Sequence, residues 1–140
     1  MNKNTAFLIL PLFITGVLHG QVVTHAGLWE TTVTGGGKTA TRSACITPEQ
    51  EQQSKGTVES MRAATEKSLA TSGGCKLAEF TIAGSTQTVV TVCDQITIKH
   101  VTIFHGDSFE TTATTTTPEG PKTASIKGHR LGNCPPSGAK

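Results

Sequence analysis

Three histidines in the last third of the chain are the first candidates for metal binding or acid-base catalysis: His100, His105 and His129. On a regular strand His100 and His105 would point to opposite faces, because the difference between their positions is odd. The chain has neither the Cys-x-x-Cys nor the His-x-x-x-His spacing of common zinc sites. We interpret all three as solvent-facing or turn residues, which only a bulge would realign. A metal-dependent or hydrolytic enzyme using His100, His105 or His129 is the alternative function.

Two short motifs resemble catalytic sequences without meeting their requirements. The run Gly35 to Thr39 looks like the end of a phosphate-binding loop, but Thr32 stands where the first glycine is needed and no helix start follows. Ser108 lies beside His105 and Asp107, yet neighbouring residues at a hairpin tip cannot align nucleophile, base and orienting acid. We therefore predict no catalytic residue, no enzymatic activity and no cofactor.

Four cysteines allow three disulfide pairings. We favour Cys75 with Cys93, which would join two adjacent antiparallel strands, and Cys45 with Cys134, which would tie the start of a helix to the end of the sheet. The pairing of Cys45 with Cys75, across that helix, is the alternative. If all four cysteines are bonded, none is left for thiol chemistry.

Residues 1–26 are typical of a secretory signal peptide. Lys3 supplies positive charge, the run Ala6 to Leu18 is almost entirely apolar, and small residues follow it. The apolar run has 13 residues, which is too short to span a bilayer. Cleavage after Ala26 is favoured, and cleavage after Gly20 is the alternative.

The leader and the cysteines together predict a periplasmic or secreted protein with no transmembrane anchor in its mature form. We expect one domain over residues 27–134 and a disordered tail over residues 135–140. The formal net charge is only +2, and the basic residues are scattered along the chain. Such a balance provides no electrostatic surface for nucleic acid.

The first half of the mature chain predicts a hairpin and one interrupted helix. Gly27 to Thr34 alternates like a half-buried strand, and a polar strand returns from Lys38 to Ala44. Thr47 and Gln50 are spaced as a capping box, and the helix is expected to pause near Gly56. From Thr57 to Thr71 the apolar positions form one narrow stripe, which needs a sheet to cover it.

The second half predicts an antiparallel meander. Alternating runs are separated by turn residues and lie at 78–82, 86–93, 96–103, 110–117 and 123–131. The apolar phase changes within the third run, which predicts a bulge near Lys99 and His100. The last run carries Lys122, Lys127, His129 and Arg130. We interpret this basic row mainly as protection of a sheet edge, with an anionic ligand as the alternative.

Several short stretches together resemble the family called domain of unknown function 3617. They are Gly-Leu-Trp-Glu at 27–30, Cys45 followed by Ile-Thr-Pro-Glu-Gln, the lone Cys75 and Cys93, Gly-Asp-Ser-Phe at 106–109, and the closing run at 128–134. The resemblance implies a small exported bacterial domain, and it brings no assigned activity and no catalytic residues.

The predicted fold is therefore α+β, an antiparallel sheet of five or six strands in a meander, curved over one main helix and held by two disulfides. The predicted function is a noncatalytic exported binding or envelope-associated module, whose partner is a small apolar ligand or an envelope component. The expected ligand cleft lies near Trp29, Phe80 and Phe104. A purely structural role in an envelope complex is a third hypothesis, and it would require a contiguous exposed apolar patch.

Overall fold

The computed structural model describes residues 22–136. Within this range the chain forms seven strands and two helices, which in order are β1 (Gly27–Gly35), β2 (Lys38–Ile46), α1 (Pro48–Ser54), α2 (Val58–Thr71), β3 (Cys75–Ala83), β4 (Thr86–Cys93), β5 (Ile96–Phe104), β6 (Ser108–Thr117) and β7 (Gly120–Gly132). All strands belong to one antiparallel sheet in the order β2-β1-β7-β6-β5-β4-β3.

The prediction of five or six strands curved over one main helix is wrong, because the described chain forms a seven-stranded sheet with two short helices. All seven strands form one sheet because β7, which has 13 residues, pairs with β6 on one side and with β1 on the other. This pairing adds the opening hairpin to the meander. Helix α2 contacts β3 at one edge, and neither helix contains a buried residue. The helices therefore do not form a layer over the sheet.

Register assigns the side chains to two faces, since directly paired residues of an antiparallel sheet lie on the same face. The Trp29 face, named after its largest side chain, includes Phe80, Thr91 and Thr111, all of which are buried. Besides Trp29 and Phe80, the described chain has one more buried hydrophobic residue, Val22. The core is thus small and lies on the Trp29 face, in agreement with a composition poor in aromatic residues.

The predicted bulge near Lys99 and His100 is also wrong, since β5 pairs with β4 and β6 without a register shift. Ile98 lies on the Trp29 face and Val101 on the opposite face. If helices covered one face, that face would be the buried one, and apolar side chains on the other face would be exposed to water. In the absence of such a layer both faces are partly exposed, so an apolar residue on either face requires no break in the strand.

Local signals at the helices agree with the structure. Thr47 is the N-cap of α1, and it forms a complete capping box with Gln50, so this prediction is confirmed. Thr57 caps α2 in a similar way through the backbone N–H of Ser60. Gly56 lies between the two helices, at the pause that the sequence predicts.

Two disulfides cross-link the described chain, in the pairing that the sequence favours. Cys75 and Cys93 lie directly opposite each other on β3 and β4, with Cα atoms 4.2 Å apart. Cys45 on the edge strand β2 is joined to Cys134, which follows β7, with Cα atoms 5.6 Å apart. The second bridge therefore links β2 to the end of β7 across β1, the strand between them.

Candidate functional site

Two of the three residues of the predicted ligand cleft come together through a third aromatic ring. The Phe109 ring lies 5.8 Å from the Trp29 ring and 6.2 Å from the Phe104 ring, measured between centroids. Gly128 makes this possible, because a Cβ atom at that position would overlap the Phe109 ring. Trp29 is only 4% exposed, and its Nε1 donates a hydrogen bond to the carbonyl oxygen of His25 at 2.8 Å.

Phe80, the third residue of the predicted cleft, lies elsewhere on the Trp29 face. It is opposite Val89, which is opposite His100, and Phe104 is four residues further along β5. Phe80 is 5% exposed. The side chains of Trp29 and Phe80 are therefore part of the core, and a ligand cleft at Trp29, Phe80 and Phe104 stays a prediction.

The three candidate histidines do not converge. His100 lies on the Trp29 face opposite Ala113, whereas His105 lies at the hairpin tip, with Nε2 3.9 Å from Glu110 Oε2. His129 lies on the opposite face, with Nε2 3.8 Å from Glu30 Oε1. Among residues 22–136 there is no group of three or more His, Cys, Asp or Glu side chains that could hold a metal ion.

The Ser108 region is a turn. His105 N donates to the Ser108 carbonyl oxygen at 2.8 Å, which closes the hairpin, and Gly106 has a φ of 82°. A glycine with positive φ at the first central position suits a primed hairpin turn. The Asp107 carbonyl oxygen accepts a hydrogen bond from Arg130 N at 2.8 Å. These backbone bonds give both residues a structural role at the hairpin tip.

The basic row on the last strand does not protect a sheet edge, and that interpretation is wrong. β7 lies between β1 and β6, and the edges of the sheet are β2 and β3. Lys127 Nζ is 3.2 Å from Glu110 Oε1, so this lysine pairs across the strands. The Arg130 guanidinium donates to the carbonyl oxygen of Ala26 and to Asn133 Oδ1, at 2.7 and 3.1 Å. A central strand has a neighbour on each side, so its basic residues bond to different parts of the domain. They therefore do not act together as one basic row.

Glu51 of α1 is the most strongly perturbed carboxylate of the described chain. Lys55 Nζ lies 2.6 Å from its Oε1, and the backbone N–H of Ala26 donates to its Oε2 at 2.6 Å. The pKa of Glu51 is lowered from 4.5 to about 2. The hydrogen bond from Lys55 is the main cause, and the hydrogen bond from the Ala26 backbone is the second. Glu51 is thus ionised at neutral pH with both oxygens occupied, so it anchors structure and does not transfer protons.

An open cleft of 430 Å³ lies at the end of the sheet where the β4–β5 and β6–β7 turns meet. We call it the turn cleft, and its lining residues are Cys93, Asp94, Gln95, Ile96, Thr117, Pro118, Glu119 and Lys122. Register places the side chains of Ile96, Thr117 and Lys122 on the Trp29 face. The only sequence signal for this site is that the two turns fall at the same end of a meander with strands of similar length. This signal indicates which end of the sheet the turns share, and it does not predict a pocket there.

The lining of the turn cleft is partly apolar and partly charged. Ile96 and Pro118 supply apolar surface, and Ile96 is 38% exposed. Asp94, Glu119 and Lys122 supply charges of both signs at the rim. The Thr117 hydroxyl donates to the Gly120 carbonyl oxygen and accepts from Glu119 N, both at 3.3 Å, so it is held by the turn. The lining contains no histidine and no free thiol to act as a base or nucleophile.

A smaller cleft of 280 Å³ separates α2 from β3, and Leu69 and Leu77 are among its lining residues.

The helices in residues 22–136 are too short or too polar to cross a membrane.

Comparison with known proteins gives a family and no function. We found no match among curated proteins and none among solved structures. A family model described as a protein of unknown function, DUF3617, matches residues 24–134. The match covers the whole of β1 to β7 and both disulfides. This chain therefore belongs to the DUF3617 family.

Proposed function

We propose that this protein is an exported, noncatalytic module that binds a small amphipathic molecule of the cell envelope in the turn cleft. The observation that carries the proposal is the cleft itself, where exposed apolar surface at Ile96 and Pro118 is bordered by three charged side chains. Its volume of 430 Å³ falls within the range of small-molecule sites, roughly 300 to 1,000 Å³.

Export is supported by the two disulfides, since stable bridges form in oxidising compartments and are rare in the cytosol. Residues 1–21 of the predicted leader, which covers residues 1–26, lie outside the described part of the chain, so this support rests on the cysteines. A noncatalytic role is supported by the separation of His100, His105 and His129, which lie at three different places on the sheet.

The chemistry of the lining favours an amphipathic ligand. An apolar chain or ring would cover Ile96 and Pro118, which lose hydration when they are buried. The polar end of the ligand would meet Lys122 on one side and Asp94 and Glu119 on the other. A zwitterionic head group satisfies both signs, whereas a purely apolar ligand would leave the charged rim without partners.

The test is a thermal melt of the oxidised protein with and without a bacterial envelope lipid extract. Ligand present at 100 times its Kd stabilises the native state by about 2.7 kcal/mol, which raises the midpoint by roughly 10 °C in a domain of this size. Zinc and a chelator are added in parallel. A shift with zinc and none with the lipid extract would favour the metal-enzyme alternative and refute the proposal.

A matched pair of variants locates the site. Ile96 and Ile103 are both on β5, they are 38% and 40% exposed, and they lie on opposite faces of the sheet. We expect Ile96→Glu to abolish the shift produced by the lipid extract and Ile103→Glu to keep it. Loss of the shift in Ile103→Glu alone would place binding on the opposite face and contradict the turn cleft.

A further inference from the structure

Residues 22–26 precede β1 and are bound tightly to the folded domain. We call them the N-terminal strap. Val22 is 6% exposed and is one of three buried hydrophobic residues in the described chain, with Trp29 and Phe80. The backbone N–H of Thr24 donates to Ser54 Oγ at 3.2 Å, so the strap also contacts the end of α1.

The strap supplies a partner to three further polar side chains of the domain. The carbonyl oxygen of His25 accepts from Trp29 Nε1 at 2.8 Å, and that of Ala26 accepts from Arg130 Nε at 2.7 Å. The N–H of Ala26 donates to Glu51 Oε2 at 2.6 Å. These bonds join the strap to β1, β7 and α1 at once.

Removal of the strap would take one hydrogen-bond partner from each of those groups. Trp29 is 4% exposed, so its indole N–H would lose its acceptor in a place that water reaches poorly. A chain that began at Gly27 would also carry a new ammonium group on a buried residue. A Cβ at Gly27 would overlap the Gly132 carbonyl oxygen, which shows how tightly this backbone is enclosed.

We propose that the leader is cut after Gly20, so that the mature protein keeps the N-terminal strap as a permanent part of its domain. Water hydrolyses the bond between Gly20 and Gln21, leaving a carboxylate on Gly20 and an amine on Gln21. The inference rests on the export in the proposed function, and it replaces Ala26 as the favoured cleavage position.

Leader peptidases cut after a small residue, in a pattern that often has a second small residue two positions earlier. Gly20 meets the first condition, and Leu18 occupies the second position. The apolar run ends at Leu18, and Gly20 is the one small residue between Leu18 and Val22. Ala26 is also small, but a cut after it would remove from the mature protein a backbone N–H and a carbonyl oxygen that are both bonded to the folded domain.

The first experiment measures the intact mass of the protein recovered from the periplasm after expression of the full chain, residues 1–140. We expect a mass that begins at Gln21, with or without loss of ammonia from the terminal glutamine. A mass that begins at Gly27 would overturn the inference and leave export standing. If the chain instead stays in the cytoplasm with its leader uncut, both the inference and the export in the proposed function are overturned.

Two matched substitutions keep the test independent of mass alone. Gly20→Val and Ala26→Val each replace a small residue by the same larger one in the full chain. We expect Gly20→Val to block processing and Ala26→Val to be processed at the same position as the wild type. Blocked processing in Ala26→Val with normal processing in Gly20→Val would refute the inference.

A separate measurement tests the role of the strap after processing. Val22→Asp places a charge at a buried position, and Val23→Asp places the same charge at its half-buried neighbour. We expect the midpoint of Val22→Asp to fall by roughly 10 °C and that of Val23→Asp to fall by less than half as much. Equal midpoints for the wild type and Val22→Asp would show that the strap is not part of the domain.

Discussion

Replacement of Gly128 by alanine tests whether the aromatic cluster holds the middle of the sheet together. The new Cβ would overlap the Phe109 ring, which must then move. Overpacking of this kind costs about 1 to 3 kcal/mol. The displaced ring would also weaken its pairs with Trp29 and Phe104, at centroid distances of 5.8 and 6.2 Å. Each such pair contributes about 0.5 to 1.5 kcal/mol.

Alanine also lowers the entropy of the unfolded chain relative to glycine, which returns about 0.5 to 1 kcal/mol. The net expected loss for Gly128→Ala is therefore about 2 to 4 kcal/mol, measured as the free energy of unfolding in urea. Gly35→Ala is the control in the same sheet, since its Cβ would meet Ala124 Cβ at 3.0 Å and needs only a small displacement. We expect its effect to stay within about 1 kcal/mol.

A double-mutant cycle identifies the cause. In a Phe109→Leu background no ring lies over Gly128, so Gly128→Ala should cost less than about 1 kcal/mol. If Gly128→Ala loses the same free energy with and without Phe109, the ring overlap is not responsible and the reasoning is refuted. Unchanged stability of Gly128→Ala in the wild-type background would refute it equally.

Two further predictions concern the cross-links and the strap. The Cys45–Cys134 bridge closes a separation of 89 residues and the Cys75–Cys93 bridge one of 18, so replacing both cysteines of each bridge by alanine should cost about 4.5 and 3 kcal/mol in urea unfolding. The opposite order would show that loop length does not control the effect. Because the pKa of Glu51 is lowered from 4.5 to about 2, its contribution to stability is complete above pH 4.5 and is lost as the pH falls towards 2. Glu51→Gln should therefore flatten the fall of the melting temperature in that window while Glu59→Gln does not, and parallel curves for wild type and Glu51→Gln would contradict this.

Residues that the family resemblance brings together prove to be packing residues. Gly27 and Gly128 lie where a Cβ would overlap neighbouring atoms, and Arg130 holds the strap through the Ala26 carbonyl oxygen. Trp29 fills the core and the Thr47 capping box starts α1. A motif of this type identifies a fold without revealing a ligand, because these residues pack against or bond to other parts of the domain.

Local signals were sufficient wherever neighbouring residues decide the structure. The capping box at Thr47 and the Gly106 turn depend on a few adjacent positions, and both agree with the structure. The prediction of a bulge near Lys99 is wrong because it assumes that one face of the sheet is covered and must carry all the apolar side chains. The interpretation of the basic row on β7 as edge protection is wrong because the sequence does not show which strands lie at the edges of the sheet.

The sequence by itself determined the individual strands, the helix caps and a disulfide pairing consistent with adjacent strands, since these depend on side-chain alternation, backbone preference and short separations. Only the tertiary structure decided that β1 pairs with β7, because 84 residues lie between Gly35, the last residue of β1, and Gly120, the first residue of β7. That long-range pairing makes β7 a central strand and joins the opening hairpin to the meander. Its physical reason is that hydrogen bonds between distant strands carry no local sequence signal, because the backbone groups that form them are the same in every residue.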